Sequence, residues 1–378
     1  MISIRQYLFS LENSRGLTRT LGEVDLCRTA TGQSCFTVGN SAVVFKIRHE
    51  GRLCALRCYT HPARNLAAIY GSKLRPAELF VYGDPTHGEW VDVVVDRWIE
   101  GQTLHDQITQ ADAAQFAQLA ASFDRAAAAW VADDWAHGDL KPENIIVAPD
   151  GTLHLIDWDA TFLPEFAGMQ SGELGTTAFQ HPARTAADFD ATLDDFAVAL
   201  LSTALHALAL DPSLRDRYGV HDTLLIDPRQ LPHDRALCEI LALFERHGCA
   251  AQYRIARLLL SPTLHLPALA QLLHAATTPP PHEPLELFVE EGFWGYRGTT
   301  TQTIYIAPMY NSGFDFSDDL AAVQLGHTWH YIDKNGTTVI SCTEYESVKP
   351  FRNGHARVLG AAGWCEIDRT GSVYVLEY

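Results

Sequence analysis

The C-terminal part of this 378-residue chain is written on a fixed 35-residue period, and a fixed period leaves few folds open. Trp294, Trp329 and Trp364 stand 35 residues apart; the same interval separates Tyr310 from Tyr345, Phe316 from Phe351, Val323 from Val358, Asp333 from Asp368 and Gly336 from Gly371. Regular aromatic and glycine anchors mark stacked supersecondary units, each burying its apolar face against the next. The text between anchors, HYIDKNGTTVI, reads strand, turn, strand, and Asn335-Gly336 predicts a two-residue type I′ hairpin. The tryptophans are expected to be packing residues rather than ligand contacts.

These strings, with WGY, YIDKNGTTVI and FSDDLAAV, resemble the bacterial WG-repeat modules. Only Trp294-Gly295 keeps the dipeptide that gives those repeats their name; the other copies read Trp329-His330 and Trp364-Cys365. The resemblance implies a β-rich repeat domain over residues 286–378 that recruits a protein partner or substrate. Three consecutive prolines in TTPPPHEP, Thr277 to Pro284, forbid helix and predict a proline-rich linker over 277–285.

Upstream, Cys35 to Trp98 carries β-branched and aromatic runs (AVVFKI, LCALRCY, ELFVY, WVDVVV) between turn signals, which predicts a strand-rich region with one short helix over 61–74. IRQYLFSLE, near the N-terminus, predicts another short helix. Beyond Gly101 the apolar positions fall at helical spacing: Phe116, Leu119, Phe123 and Ala127, then Leu193, Phe196, Ala197 and Leu200, then Leu237, Ile240 and Phe244. Phe196 to Leu210 is uncharged but too short to span a bilayer, so it predicts a buried core helix. The fold class expected is α+β: a small β-rich lobe, a large helical lobe and a C-terminal β-rich repeat domain.

Acidic residues outnumber Lys and Arg by 46 to 28, a formal charge of −18, which argues against a general nucleic-acid or anionic-membrane binder. Eight cysteines without a CxxC pair read as reduced thiols, and the N-terminal segment lacks the apolar core of a signal peptide. A cytoplasmic protein is expected.

The chemistry is concentrated in HGDLKPENIIVAPDGTLHLIDWD, His137 to Asp159. A loop carries Asp139, Lys141 and Asn144; a strand, a PDG turn and a second strand then lead to Asp157. Asn144 and Asp157 offer two oxygen ligands of the kind Mg2+ takes alongside waters and phosphates. Asp139 and Lys141, two residues apart, suit a base that orients a hydroxyl and a cation that steadies a transferring phosphoryl group.

This constellation resembles the catalytic core of the protein-kinase superfamily, over roughly residues 30–275: Asn144 lies five residues and Asp157 eighteen after Asp139. The resemblance implies a kinase-like domain over 31–276, with lobes at about 31–97 and 98–276 and an N-terminal extension of 1–30. It implies ATP and Mg2+ as cofactors, with Mn2+ as an alternative. Asp139 and Lys141 would be catalytic, and Asn144 and Asp157 would hold the metal. FTVGNSAVVF sits where the phosphate-covering hairpin belongs, so Gly39, Asn40, Ser41 and Val44 would line ATP with Arg57, and WIEGQTL would be the hinge, with Trp98 and Glu100 near adenine. Thr176, in GTTAF, matches the end of the activation segment; His137 and Asp194 match structural residues that hold the catalytic loop.

Two departures leave the activity open. Arg57 replaces the phosphate-anchoring lysine, and HPARNLAAIYGSKL, the following helix, has no acid to pair with it, so nothing evident fixes its rotamer. Trp158-Asp159 stands in place of Phe-Gly, as in many small-molecule phosphotransferases, whereas Lys141 is typical of Ser/Thr kinases. The readings are a Ser/Thr kinase-like phosphotransferase, a pseudokinase scaffold that binds nucleotide without transfer, and a small-molecule hydroxyl phosphotransferase.

Overall fold

Period-two alternation in AVVFKIRH and RLCALRCY sends Val43, Phe45, Ile47, Leu56 and Cys58 to one sheet face, where each is at most 1% exposed. In this computed structural model, which describes residues 2–83, 87–220, 222–274 and 283–374, those strands are central to the first of two units. That unit is Met1–Gly101 with His154–Thr161; the second is Gln102–Leu153 with Phe162–Tyr378. The first is built on a six-stranded antiparallel sheet, with Ala42–His49 beside Arg52–Tyr59 and that strand beside Gly88–Arg97. Part of the N-terminal segment joins its core. The helix Ile4–Glu12, opened by a reciprocal Ser3–Gln6 capping box, buries Tyr7 and Leu11 with Leu21 and Leu26 against the sheet. The short helix expected over 61–74 is Leu66–Tyr70, followed by a 3-10 turn.

The second unit carries helices at the predicted periodicities: Ala113–Trp130, Asp195–Leu210 and Arg235–His247. Asp195–Leu210 is the buried core helix expected from its apolar run. Buried Asp124 ties it to Ala113–Trp130, sharing hydrogen bonds with Ser202 Oγ and His206 Nε2, both at 2.7 Å. No helix among the described residues is long and apolar enough to cross a membrane. All eight cysteines are free thiols. Most of the linker assigned to 277–285 falls in residues 275–282, outside the described residues.

The 35-residue period becomes three antiparallel sheets, one per copy. Register repeats with it: Trp294 pairs with Val289, Trp329 with Gln324 and Trp364 with Leu359. The copies are joined by buried tyrosines at the same interval. Tyr296 Oη donates to the Phe314 carbonyl and Tyr331 Oη to the Lys349 carbonyl, each at 2.7 Å, and their rings meet Phe316 and Phe351 edge to face. Burial pushes both phenols above the ordinary tyrosine range, so they remain donors.

Two expectations are corrected. The Asn335-Gly336 turn is not type I′, because only Gly336 has positive φ. Instead Asp333 closes a longer turn: its carboxylate accepts from the N–H groups of Asn335 and Thr337, both at 2.9 Å, and its own N–H reaches the Thr337 carbonyl. Asp368 does the same for Thr370 and Ser372. The tryptophans do not all pack alike: Trp329 is partly buried against the core, as expected, and Trp364 is not. Trp364 is 43% exposed, with Lys349 and Arg357 over its ring, while Tyr296, Tyr331 and Ile367 are fully buried.

Glycine at position 295 has a steric reason. In the first copy a register irregularity between Trp294 and Tyr296 presses Gly295 against the opposite strand, where a Cβ would lie 2.6 Å from the Ile306 carbonyl oxygen. The second copy keeps a regular ladder around His330, which pairs with Ser341 and has room for a side chain. Substituting Gly295 by Ala is expected to destabilise the protein by about 1–3 kcal/mol in chemical denaturation, through overpacking against backbone.

The second copy is anchored on the end of Arg235–His247. A helix C-terminus leaves carbonyls without intrahelical partners. Ser341 Oγ donates to the Arg246 carbonyl at 2.8 Å and Thr338 Oγ1 to the Gly248 carbonyl at 2.9 Å, while the Glu245 carboxylate accepts from His327 N and Thr328 Oγ1 at 2.8 Å. His330, 1% exposed, shares a 2.9 Å hydrogen bond with Ser341 through Nδ1. Burial pushes its imidazole down to about 4, against the pull of Glu245. Since the unfolded chain then binds the proton more tightly, the stability held above pH 6.5 falls as pH drops toward 4, by up to roughly 3 kcal/mol. Asp195, pushed up to about 6 by burial, gives the opposite slope in part of this window. The check is therefore a difference: His330→Asn should be less acid-sensitive than wild type in denaturant melts between pH 4 and 7.

Candidate functional site

In the second unit the loop after Ala136 is held by its backbone. Asp194 occupies the N-cap position of Asp195–Leu210 but does not cap that helix; its carboxylate accepts from His137 N at 2.5 Å and Gly138 N at 2.9 Å. This separates a loop clamp from an ordinary helix-terminal acid. Burial raises the Asp194 carboxyl, opposed by His137, the two N–H groups and Arg184. Gly138 has φ +78°, and its carbonyl accepts from Gln180 Nε2 at 3.2 Å and Arg184 Nη1 at 3.0 Å. Gly175, at φ +72°, is the close neighbour: a Cβ there would lie 2.6 Å from the Gly138 oxygen. His137 is fully buried and its Nδ1 faces Asp139 N at 3.4 Å.

This frame presents four of the predicted residues together. Lys141 Nζ lies 2.9 Å from Asp139 Oδ2 and donates to Thr176 Oγ1 at 2.8 Å; Thr176 N donates to Asp139 Oδ1 at 2.6 Å. Asn144 Nδ2 donates to the Asp139 carbonyl at 2.8 Å and lies 3.3 Å from its Oδ2. That pairing spends the amide hydrogens of Asn144 and leaves Oδ1 as its acceptor, the atom that a hard cation takes. Asp139 is thus ion-paired and oriented but not sealed, with 17% of its side chain exposed.

In the first unit, Phe36–Val38 and Ala42–His49 form the expected hairpin with Gly39, Asn40 and Ser41 at its turn, closed by Gly39 N to the Ala42 carbonyl at 2.8 Å. Val44 stands opposite Arg57 in the ladder. Trp98 and Glu100 gather around Lys46, whose ammonium sits 4.7 Å over the Trp98 ring and 2.9 Å from Glu100 Oε1.

Arg57 is where the structure departs most from expectation. Its rotamer is fixed: Nη2 donates to Asp157 Oδ1 and to Asp159 Oδ2, the latter at 2.5 Å. The partner that sequence reasoning sought on the following helix is Asp159, two residues beyond Asp157. Asp159 is itself held by Tyr70 Oη at 2.7 Å, Tyr59 Oη at 3.0 Å and Ser41 Oγ at 3.1 Å. Burial works against the Arg57 charge, but Asp157, Tyr70 and Asp159 outweigh it and raise its pKa; burial likewise raises both tyrosines. Asp157 has φ +67°, an uncommon backbone for a residue with a Cβ. A signal for Tyr59 was available, because residues 57 and 59 share a strand face. Tyr70 and Asp159 had none, since only folding brings them to Arg57.

The donor set fits a phosphate ligand and a hard cation. Arg57 Nε is buried without a hydrogen-bond partner, and Asp157, with 32% of its side chain exposed, remains within reach of solvent. Among the described residues no group of three or more His, Cys, Asp or Glu is gathered as for a metal.

The family model for the WG containing repeat matches residues 294–329 and 331–359, the first two copies of the period. No curated protein matches the chain.

Removing the loop clamp leaves two buried N–H groups without acceptors. Asp194→Ala is therefore expected to lower stability by roughly 2–5 kcal/mol, read as a shifted denaturant midpoint.

Proposed function

We propose that this protein is a phosphotransferase with a bilobal, protein-kinase-like domain over residues 31–276, which uses ATP and Mg2+ or Mn2+ to phosphorylate a protein Ser/Thr hydroxyl. The observation that carries the reading is the Asp139–Lys141–Thr176–Asn144 constellation, built on a loop whose backbone Asp194 clamps. Asp139 accepts the hydrogen bond of the incoming hydroxyl and takes its proton. Lys141 compensates charge on the transferring group, and Thr176 keeps Asp139 and Lys141 in register. ATP would supply the phosphoryl group and Mg2+ would neutralise its oxygens. Asn144 and Asp157 are the residues to hold the cation, and Gly39, Asn40, Ser41, Val44 and Arg57 those to meet the nucleotide, with Trp98 and Glu100 toward its base. The WG-type repeats recruit a protein partner or substrate on faces other than the one packed on the end of Arg235–His247.

A second reading, a scaffold that binds nucleotide without transfer, draws on the hold of Arg57 on Asp157, which engages the metal carboxylate with a fixed cation. The deciding assay is transfer from radiolabelled ATP, with Mg2+ or Mn2+, to generic protein acceptors. Asp139→Asn is expected to lower transfer by about 10²-fold or more. Nucleotide-dependent thermal stabilisation with no transfer in either protein would favour the scaffold; labelling of small hydroxylated acceptors alone would favour a metabolite phosphotransferase.

A further inference from the structure

A phosphate-anchoring cation on a strand needs a carboxylate to fix it, and the helix Leu66–Tyr70 supplies none. What it supplies is a phenol. Tyr70 Oη donates to Asp159 Oδ1, which Tyr59 Oη also reaches, while Asp159 Oδ2 accepts from Arg57 Nη2 and Ser41 Oγ. Two donors on each oxygen fill the four acceptor sites of a carboxylate. The two acids near Arg57 are therefore chemically unequal. Asp159, with 7% of its side chain exposed, has its acceptor capacity spent on protein donors; Asp157, with 32% exposed, has room for a further ligand.

We infer that Asp159 is the positioning residue for Arg57, fixed from the helix side by Tyr70 and from the strand by Tyr59, and that it aims the guanidinium at the phosphates of a nucleotide. The inference rests on the nucleotide reading above. Through Ser41 the same carboxylate ties down the turn of the Gly39–Ser41 hairpin, so the anchor and the covering loop share one fixed point. Asp157 shares the Arg57 donor, and a cation arriving at Asp157 would leave the guanidinium to Asp159 alone. The hydrogen bonds from Tyr59 and Tyr70 keep Asp159 in place during that exchange.

The test compares equilibrium binding of ATP and of adenosine to the full chain, with Mg2+, for wild type, Asp159→Asn, Tyr70→Phe, Arg57→Ala and the Arg57→Ala/Asp159→Asn pair. Asp159→Asn should weaken ATP about tenfold and leave adenosine within about twofold, and Tyr70→Phe, the milder change, should move ATP the same way by about threefold. In the Arg57→Ala background the Asp159 change should add nothing further, the non-additivity of residues acting through one another. Equal losses for ATP and adenosine, additive losses, or no loss would overturn the positioning role while leaving the nucleotide reading in place. Wild type that binds neither ligand would defeat the nucleotide reading itself, and the positioning role with it.

Discussion

A carboxylate nearly sealed from water must have its lone pairs filled by donors, and at Asp159 they are filled by Arg57, Ser41, Tyr59 and Tyr70, drawn from a strand, a hairpin turn and a short helix. Each of those donors is thereby constrained by the others. The guanidinium is held toward Asp157, the hairpin turn is tied to the sheet, and the helix Leu66–Tyr70 is fixed through Tyr70. Tyr59 and Tyr70 also pack with Ala42 and Val94 in one apolar cluster that Trp158 covers, so the polar hub sits on a rigid floor.

The second unit applies the same physics to backbone. Asp194 is buried because it accepts from two consecutive N–H groups, and that hold lets Gly138 take a positive φ and present Asp139 beside Lys141 and Thr176. Both buried acids act as scaffolding. Asp139 and Asp157, by contrast, keep part of their surface open. A group can be fixed in low dielectric or available for exchange, and these two pairs divide the tasks.

The repeats show how a periodic sequence accommodates unequal neighbours. Tyrosine bonds at a constant interval set the stacking, so the named dipeptide is free to vary wherever the ladder leaves room for a side chain. Gly295 is retained where backbone presses closest, and His330 appears where the second copy meets the carbonyls ending Arg235–His247.

Much of this was legible in sequence because it depends on local periodicity and spacing. The strands around Arg57, the apolar helices and the three-copy period follow from alternation, helical repeat and interval, and the grouping of Asp139, Lys141, Asn144 and Thr176 from the family resemblance. The Asp333 turn was misread because a dipeptide preference was weighed without the carboxylate two residues before it, which offers the backbone a better acceptor. Exposure of Trp364 was missed because residue type does not say which sheet face is covered. The partner of Arg57 was sought where the resemblance placed it, on the helix. Sequence by itself determined that Arg57 lacks an acid there; only tertiary structure decided that Asp159, a hundred residues away, takes that place, because a buried cation is neutralised by whichever carboxylate folding brings within hydrogen-bond reach.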